Sequence, residues 1–225
     1  MSQKAYTFSE AGKEGKLNYL LFVPKGYGKD RMKKWPVIFF LHGAGERGDD
    51  PEVLKKRGIP KIAEEQAVFP FLAVSPQCPE RSRWGQHIRT LGALLNRIFD
   101  SLTADPDRLY LTGISMGGNG VWQLATRYPK RFAALAPICG YGLRSQGFPE
   151  KIRRLKDVPV WVFHGGRDYV VSMEESRILV NTLRACGGQV RFTIYPNCGH
   201  DSWTRTYKNP ELYRWFLSHS LTGPR

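Results

Sequence analysis

Short apolar runs alternate with helical patterns along nearly the whole chain. The stretches "LNYLLFVP" (17–24), "WPVIFFLHG" (35–43) and "FPFLAVSPQ" (69–77) are almost uninterrupted apolar runs. Such runs suit strands covered on both faces, because neither side is left for water. "IRTLGALLNRIFDSL" (88–102) spaces its apolar residues at helical intervals instead, and "TADPDR" (103–108) has the composition of a turn. "LYLTGIS" (109–115) predicts a strand that runs straight into a helix at "GGNGVWQLATRYP" (117–129). Two further strands are expected at "FAALAPICG" (132–140) and "VPVWVFHGG" (158–166). The helix "MEESRILVNTLRACGG" (173–188) ends on a glycine stop signal, "VRFTIYP" (190–196) reads as the last strand, and "NPELYRWFLSHS" (209–220) closes the chain as a helix.

Alternation of strand and helix predicts an α/β fold, with a mostly parallel central sheet and helices on both faces. No internal repeat, low-complexity linker or composition break divides the 225 residues, so one domain over 1–225 is expected. Ligands of open parallel sheets bind beyond the carboxyl ends of the strands. The polar and glycine-rich positions His42-Gly43, Gln77, Ser115, Asp168 and His200 all fall at those ends.

Composition narrows the picture only a little. The formal net charge is +14, with the basic residues dispersed through "GKDRMKKW", "LKKRG", "PERSR" and "EKIRRLKD". That pattern fits a solvated surface, or attraction to an anionic surface, polymer or substrate. No zinc-finger spacing or aromatic RNA-binding motif accompanies it, so there is no specific nucleic-acid signal. No run is long and apolar enough to span a membrane. The amino-terminal "MSQKAYTFSEAGKEGK" lacks the apolar core of a secretion signal. A soluble chain is expected, cytoplasmic, or secreted where a leader has been removed from a longer precursor. None of Cys78, Cys139, Cys186 and Cys198 forms a CxxC pair, so no metal site is expected. Cys139 reads as a buried thiol, and a disulfide among the other three is left open.

The stretch Gly113-Ile114-Ser115-Met116-Gly117 lies where a predicted strand turns into a predicted helix. A nucleophilic serine needs its oxygen clear of the backbone, and flanking glycines let neighbouring chain pass without a Cβ clash. The serine also needs a base, and the base a partner that holds its tautomer. Of five histidines, His200 in "NCGHDSW" alone lies in a loop beyond the final strand. The partner is expected between serine and histidine in chain order, and Asp168 in "FHGGRDYVV" follows the penultimate strand. Asp157 precedes that strand, Asp201 adjoins His200 too closely, and Glu174 and Glu175 open a helix where carboxylates suit the dipole. His164 ends a strand and reads as a structural hydrogen-bonding residue. An oxyanion hole requires two aimed donors. The N–H of Met116 is one candidate and the N–H of Ala44 in "HGAGERG" the other, with Gly43 as its neighbour. Glu46 and Arg47 stand at the mouth of that loop, as a pair or as ties for it.

With these pieces in place the chain resembles the α/β-hydrolase superfamily. It looks most like the compact serine esterases grouped with phospholipase/carboxylesterase, dienelactone-hydrolase-like and feruloyl-esterase-like enzymes. The resemblance is carried by "FFLHGAGERGDD", "AVSPQCP" followed by Trp84, "GISMGG", "FHGGRDYVV" and "GHDSW", in that order. It implies Ser115, Asp168 and His200 as a catalytic triad, and "HGAGERG" and "SPQCP" as linings of the cleft. Dienelactone hydrolases proper carry cysteine at the elbow; serine here points to ordinary esters.

The segment between the strand after the elbow helix and the strand before the acid, where lids are inserted in this superfamily, runs only from Gly140 to Asp157. That leaves no room for a large cap domain, and an open cleft is expected. Gln77, Trp84 and Trp203 are candidate substrate contacts, with core packing the alternative for either tryptophan. The reading is a serine carboxylesterase of short-chain or aryl esters, including feruloyl or acetyl esters on carbohydrate, that needs no cofactor. An acyl thioesterase or a serine peptidase would use the same triad. A silent carbohydrate- or partner-binding domain is the alternative outside enzymology. The sequence leaves the oligomeric state unassigned.

Overall fold

The computed structural model describes residues 3–9, 16–66, 68–142 and 148–223. Eight strands form one sheet: β1 (Lys4–Ser9), β2 (Lys16–Phe22), β3 (Trp35–Leu41), β4 (Leu72–Pro76), β5 (Ala104–Ile114), β6 (Ala134–Ile138), β7 (Val160–Gly165) and β8 (Val190–Tyr195). Their spatial order is β1-β2-β4-β3-β5-β6-β7-β8. β1–β2 and β2–β4 pair antiparallel, and every other neighbouring pair is parallel. β3 is buried along its whole length, as its unbroken apolar run requires of a central strand.

Side-chain alternation along that strand feeds two cores. Val37, Phe39 and Leu41 pack on one face of the sheet and Ile38 and Phe40 on the other. The first face is covered by α2 (Ile88–Ser101), α3 (Met116–Arg127), α4 (Phe148–Ile152) and α5 (Met173–Ala185). The second is covered by α1 (Gly58–Glu65), α6 (Trp203–Lys208) and α7 (Pro210–Leu217). In α2 the buried Leu91, Leu94, Leu95 and Ile98 recur at helical spacing, which is why the sequence pattern placed it. No helix among the described residues is long and apolar enough to cross a membrane.

Several elements differ from the sequence expectation, among them α1, which no apolar pattern singled out. The polar amino terminus contains β1, whose side chains are almost all exposed. "TADPDR" is not a separate turn but lies largely within β5. There Trp35 pairs with Ala104 and Val37 with Leu109, so residues 105–108 form a bulge in the strand. The loop after β8 contains the short helix α6. The Gly140–Asp157 connection includes α4 and a 3₁₀ turn at Arg153–Leu155, and its residues 143–147 lie outside the described set. No large cap stands over the strand ends among the described residues. All four cysteines are free thiols, with Cys78 and Cys139 buried.

Candidate active site

β5 ends at Ile114 and α3 begins at Met116, leaving Ser115 alone in the turn with φ 53° and ψ −112°. A non-glycine residue at positive φ stores strain that the surroundings must hold. They do so by close approach. A Cβ on Gly113 would lie 2.6 Å from Gly117 O, and one on Gly117 would lie 1.9 Å from Leu41 O. Only glycine at both positions lets the turn press against the end of β3. The Ser115 N–H donates to Ile138 O at 2.9 Å, tying the turn to β6 as well.

Three loops converge on the serine. His200, after β8, has Nε2 3.0 Å from Ser115 Oγ. Its Nδ1 lies 2.7 Å from Oδ2 of Asp168, which follows β7. A carboxylate accepts only, so Nδ1 carries the ring proton and Nε2 is left to accept from the hydroxyl. Asp168 is buried, and its Oδ1 accepts from the N–H groups of Val170 and Val171, both at 2.9 Å. His164, wholly buried at the end of β7, places Nε2 3.2 Å from the same Oδ2 and 3.0 Å from Val171 O. Its Nδ1 faces Ser176 Oγ at 2.8 Å, and burial pushes its pKa down. Its structural bonds thus include one to the acid itself.

Ala44 opens a 3₁₀ turn and Met116 opens α3. The first N–H groups of a helix have no partner within it, so neither donor is used by its own helix. With Ser115 they line one cleft of about 240 Å³, whose other walls come from Arg47, Arg83, Tyr141, Val170, Val171, Ser172 and Glu175. The loop that carries Ala44 is clamped from below by His42. That ring is buried, and its Nε2 accepts from Cys78 N–H at 2.8 Å. Burial lowers its pKa to about 4, which keeps it a neutral acceptor near pH 7.

The expected substrate contacts are not at the cleft. Gln77 is buried, and its Nε2 donates to Glu46 O at 3.0 Å and Asp50 O at 2.9 Å, holding the loop after β3. Trp84 is fully buried, donates to His42 O at 3.0 Å and packs edge-on against that ring. Trp203 packs edge-on behind His200 at 5.4 Å between centroids and faces the α1 side. Each needs a partner for its polar group or cover for its apolar area, and the core supplies both. Glu46 does not pair with Arg47. It pairs with Arg57 at 3.0 Å, while Arg47 Nε donates to Ala44 O at 2.8 Å. Arg83 and Tyr141, joined at 3.1 Å, are cleft residues that no motif singled out; Arg83 was one of several dispersed arginines.

One trio with metal-ligand chemistry occurs among the described residues: Cys139, Asp168 and His200, with ligand atoms within 4.8 Å of one another. Two of the three are already bonded to each other as acid and imidazole. Burial holds the Cys139 thiol well above its ordinary pKa, so it stays protonated and is a poor ligand.

Comparison with known proteins places the chain in a family. The phospholipase/carboxylesterase family model matches residues 63–209. An acyl-protein thioesterase 1 of Neurospora crassa is 31% identical over 201 residues, 74% of this chain and 80% of the relative. A secreted, uncharacterized protein of Arthroderma benhamiae is 25% identical over 208 residues, 76% of this chain but only 22% of that protein's length. Among solved structures, a thermostable esterase superposes with a TM-score of 0.81 at 34% identity, covering 97% of this chain and 63% of the esterase.

Proposed function

The chain belongs to the phospholipase/carboxylesterase family of α/β-hydrolases, and from that premise we propose that it hydrolyses short-chain or aryl esters through an acyl-enzyme on Ser115. The relay from Asp168 to His200 to Ser115, with links of 2.7 and 3.0 Å, carries the reading. Ser115 Oγ attacks the ester carbonyl while His200 Nε2 takes its proton. Buried Asp168 stabilises the imidazolium that forms. The N–H groups of Met116 and Ala44 receive the oxyanion, each worth about 3 kcal/mol of barrier lowering. The alcohol leaves with the proton from His200, and water then repeats the sequence to release the acid.

A cleft of about 240 Å³ with no cap among the described residues supports a small acyl group. The Neurospora relative supports a second substrate class, thioesters, which the same acyl-enzyme would process. The test is turnover of 4-nitrophenyl butyrate together with fluorophosphonate labelling. Ser115→Ala is expected to lose both by several orders of magnitude. Normal turnover by that variant would refute the mechanism, and a folded wild type that neither labels nor turns over would leave a binding domain.

A further inference from the structure

Beside the catalytic cleft lies a second, open groove of about 460 Å³ that the chemistry above does not use. Among the described residues its lining includes Arg89, Arg127, Lys151 and Arg154, and no carboxylate. Among the described residues none of these four is ion-paired, whereas neighbouring Arg153 is held by Glu150 at 3.1 Å. Four like charges gathered without acids repel one another, and an anion in the groove would relieve that repulsion.

The groove and the catalytic cleft share no lining residue, but two elements run from one to the other. The 3₁₀ turn Trp84–His87 begins just after Arg83, which lines the cleft, and its Gly85 and Gln86 line the groove. That turn sits directly on α3, since a Cβ on Gly85 would lie 2.5 Å from Gln123 Oε1. α3 itself starts at the serine turn and carries Gln123 and Arg127 into the groove. At 1.5 Å per residue these positions lie about 12 and 18 Å along the helix axis from Ser115. Within the cleft the charge is mixed. Arg47 and Arg83 face a single carboxylate, Glu175, whose Oε2 accepts from Gly142 N–H at 3.0 Å.

We infer that the enzyme takes extended substrates whose leaving group carries phosphate or carboxylate charge some 12–18 Å beyond the scissile bond, seated on this basic groove. The inference rests on the hydrolase reading and specifies its substrate. The acyl group stays small and enters the cleft, while the alcohol or thiol part runs past Arg83 and the 3₁₀ turn. The chemistry is unchanged. The carbonyl bond to oxygen or sulfur breaks as the bond to Ser115 Oγ forms, and the leaving group departs with the proton His200 had accepted.

The experiment compares matched pairs that differ in remote charge. Butyryl-coenzyme A and butyryl-N-acetylcysteamine share an acyl group and a thioester, but only the first bears phosphates. Acetylated oligogalacturonate and acetylated xylo-oligosaccharide make the corresponding carboxylate pair. At low salt, kcat/KM is expected to favour the charged member of at least one pair by roughly tenfold or more, with the advantage shrinking as salt rises. Which pair shows it identifies phosphate or carboxylate as the source. The double variant Arg127→Gln/Lys151→Gln is expected to bring the ratio close to one. Lys61→Gln/Lys208→Gln, on α1 and α6 across the sheet, removes the same two charges and is expected to leave the ratio intact. Ratios near one in both pairs, or ratios that the groove and control variants change alike, would overturn the inference. The hydrolase reading fails separately, through absence of Ser115-dependent turnover of the uncharged members.

Discussion

Asp168 Oδ2 is shared by two histidines: His200 Nδ1 reaches it at 2.7 Å and His164 Nε2 at 3.2 Å. The first bond points toward the nucleophile. The second comes from the end of β7 and fixes the carboxylate from behind. His164 Nε2 faces only acceptors, Asp168 and Val171 O, so it carries the ring proton, and Nδ1 accepts from Ser176. A neutral histidine thus orients the acid without adding a charge beside it. His164→Ala is expected to lower kcat by about one to two orders of magnitude, since misplacement of the acid is passed to the base. KM should change little, because His164 does not reach the cleft. An unchanged kcat, with Asp168→Asn still severely impaired, would show that the two backbone N–H bonds orient the acid alone.

The glycine after the nucleophile makes a harder demand on stability. A methyl on Gly117 would sit 1.9 Å from Leu41 O, a backbone atom of the central strand that cannot swing aside. Gly117→Ala should destabilise the fold by about 1–3 kcal/mol or more, or about 2–12 °C in Tm. Gly199→Ala provides the comparison, since its nearest new contact is Arg167 O at an ordinary 3.7 Å. Thermal unfolding that ranks the two variants equally would contradict the close-approach account.

What the sequence made legible follows burial. β3 and the buried Leu109–Ile114 part of β5 announce themselves because side chains in a sheet covered on both faces are almost all apolar. Ser115, Asp168 and His200 were found from chain order and strand ends, which fix where loops emerge. β1 was missed because an exposed edge strand has no buried face to impose alternation. Strand ends do not reveal which way a side chain turns. Hence Trp84 and Gln77, correctly placed near the cleft in sequence, face the core and the loop backbone instead. Arg83 was invisible for the opposite reason. A cation in a dispersed basic background carries no mark of its cleft position until the fold sets it beside Tyr141.

Cleft size bears on acyl-chain preference. Each methylene contributes about 0.8 kcal/mol only when it is buried. With about 240 Å³ available and no cap described over it, the gain should end after the first few carbons. Across 4-nitrophenyl esters from acetate to laurate, kcat/KM is expected to peak at C2–C4 and fall at C12. A steady rise to C12 would mean that a longer apolar channel forms when substrate binds.

The last expectation concerns acid stability and lies in His42. Its ring is buried as an acceptor for Cys78 N–H, and burial lowers its pKa from 6.5 to about 4. Because the unfolded chain binds the proton more readily, the folded state loses ground as the ring titrates. The stability gained from a neutral His42 is complete above pH 6.5 and disappears as the pH falls toward 4. Integrated over that window it amounts to roughly 3 kcal/mol. His42→Gln keeps an acceptor for Cys78 N–H but cannot titrate. Urea unfolding at pH 7 and pH 4.5 should therefore show a larger loss in the wild type than in the variant, even if the variant starts lower at pH 7. Equal losses would place the acid sensitivity elsewhere, in His164 or His87, whose pKa values burial also lowers. Because Ala44 lies two residues beyond His42, the same protonation should loosen the loop proposed to hold the oxyanion before the fold is lost. An acid-side decline in kcat/KM that His42→Gln relieves would be its kinetic trace.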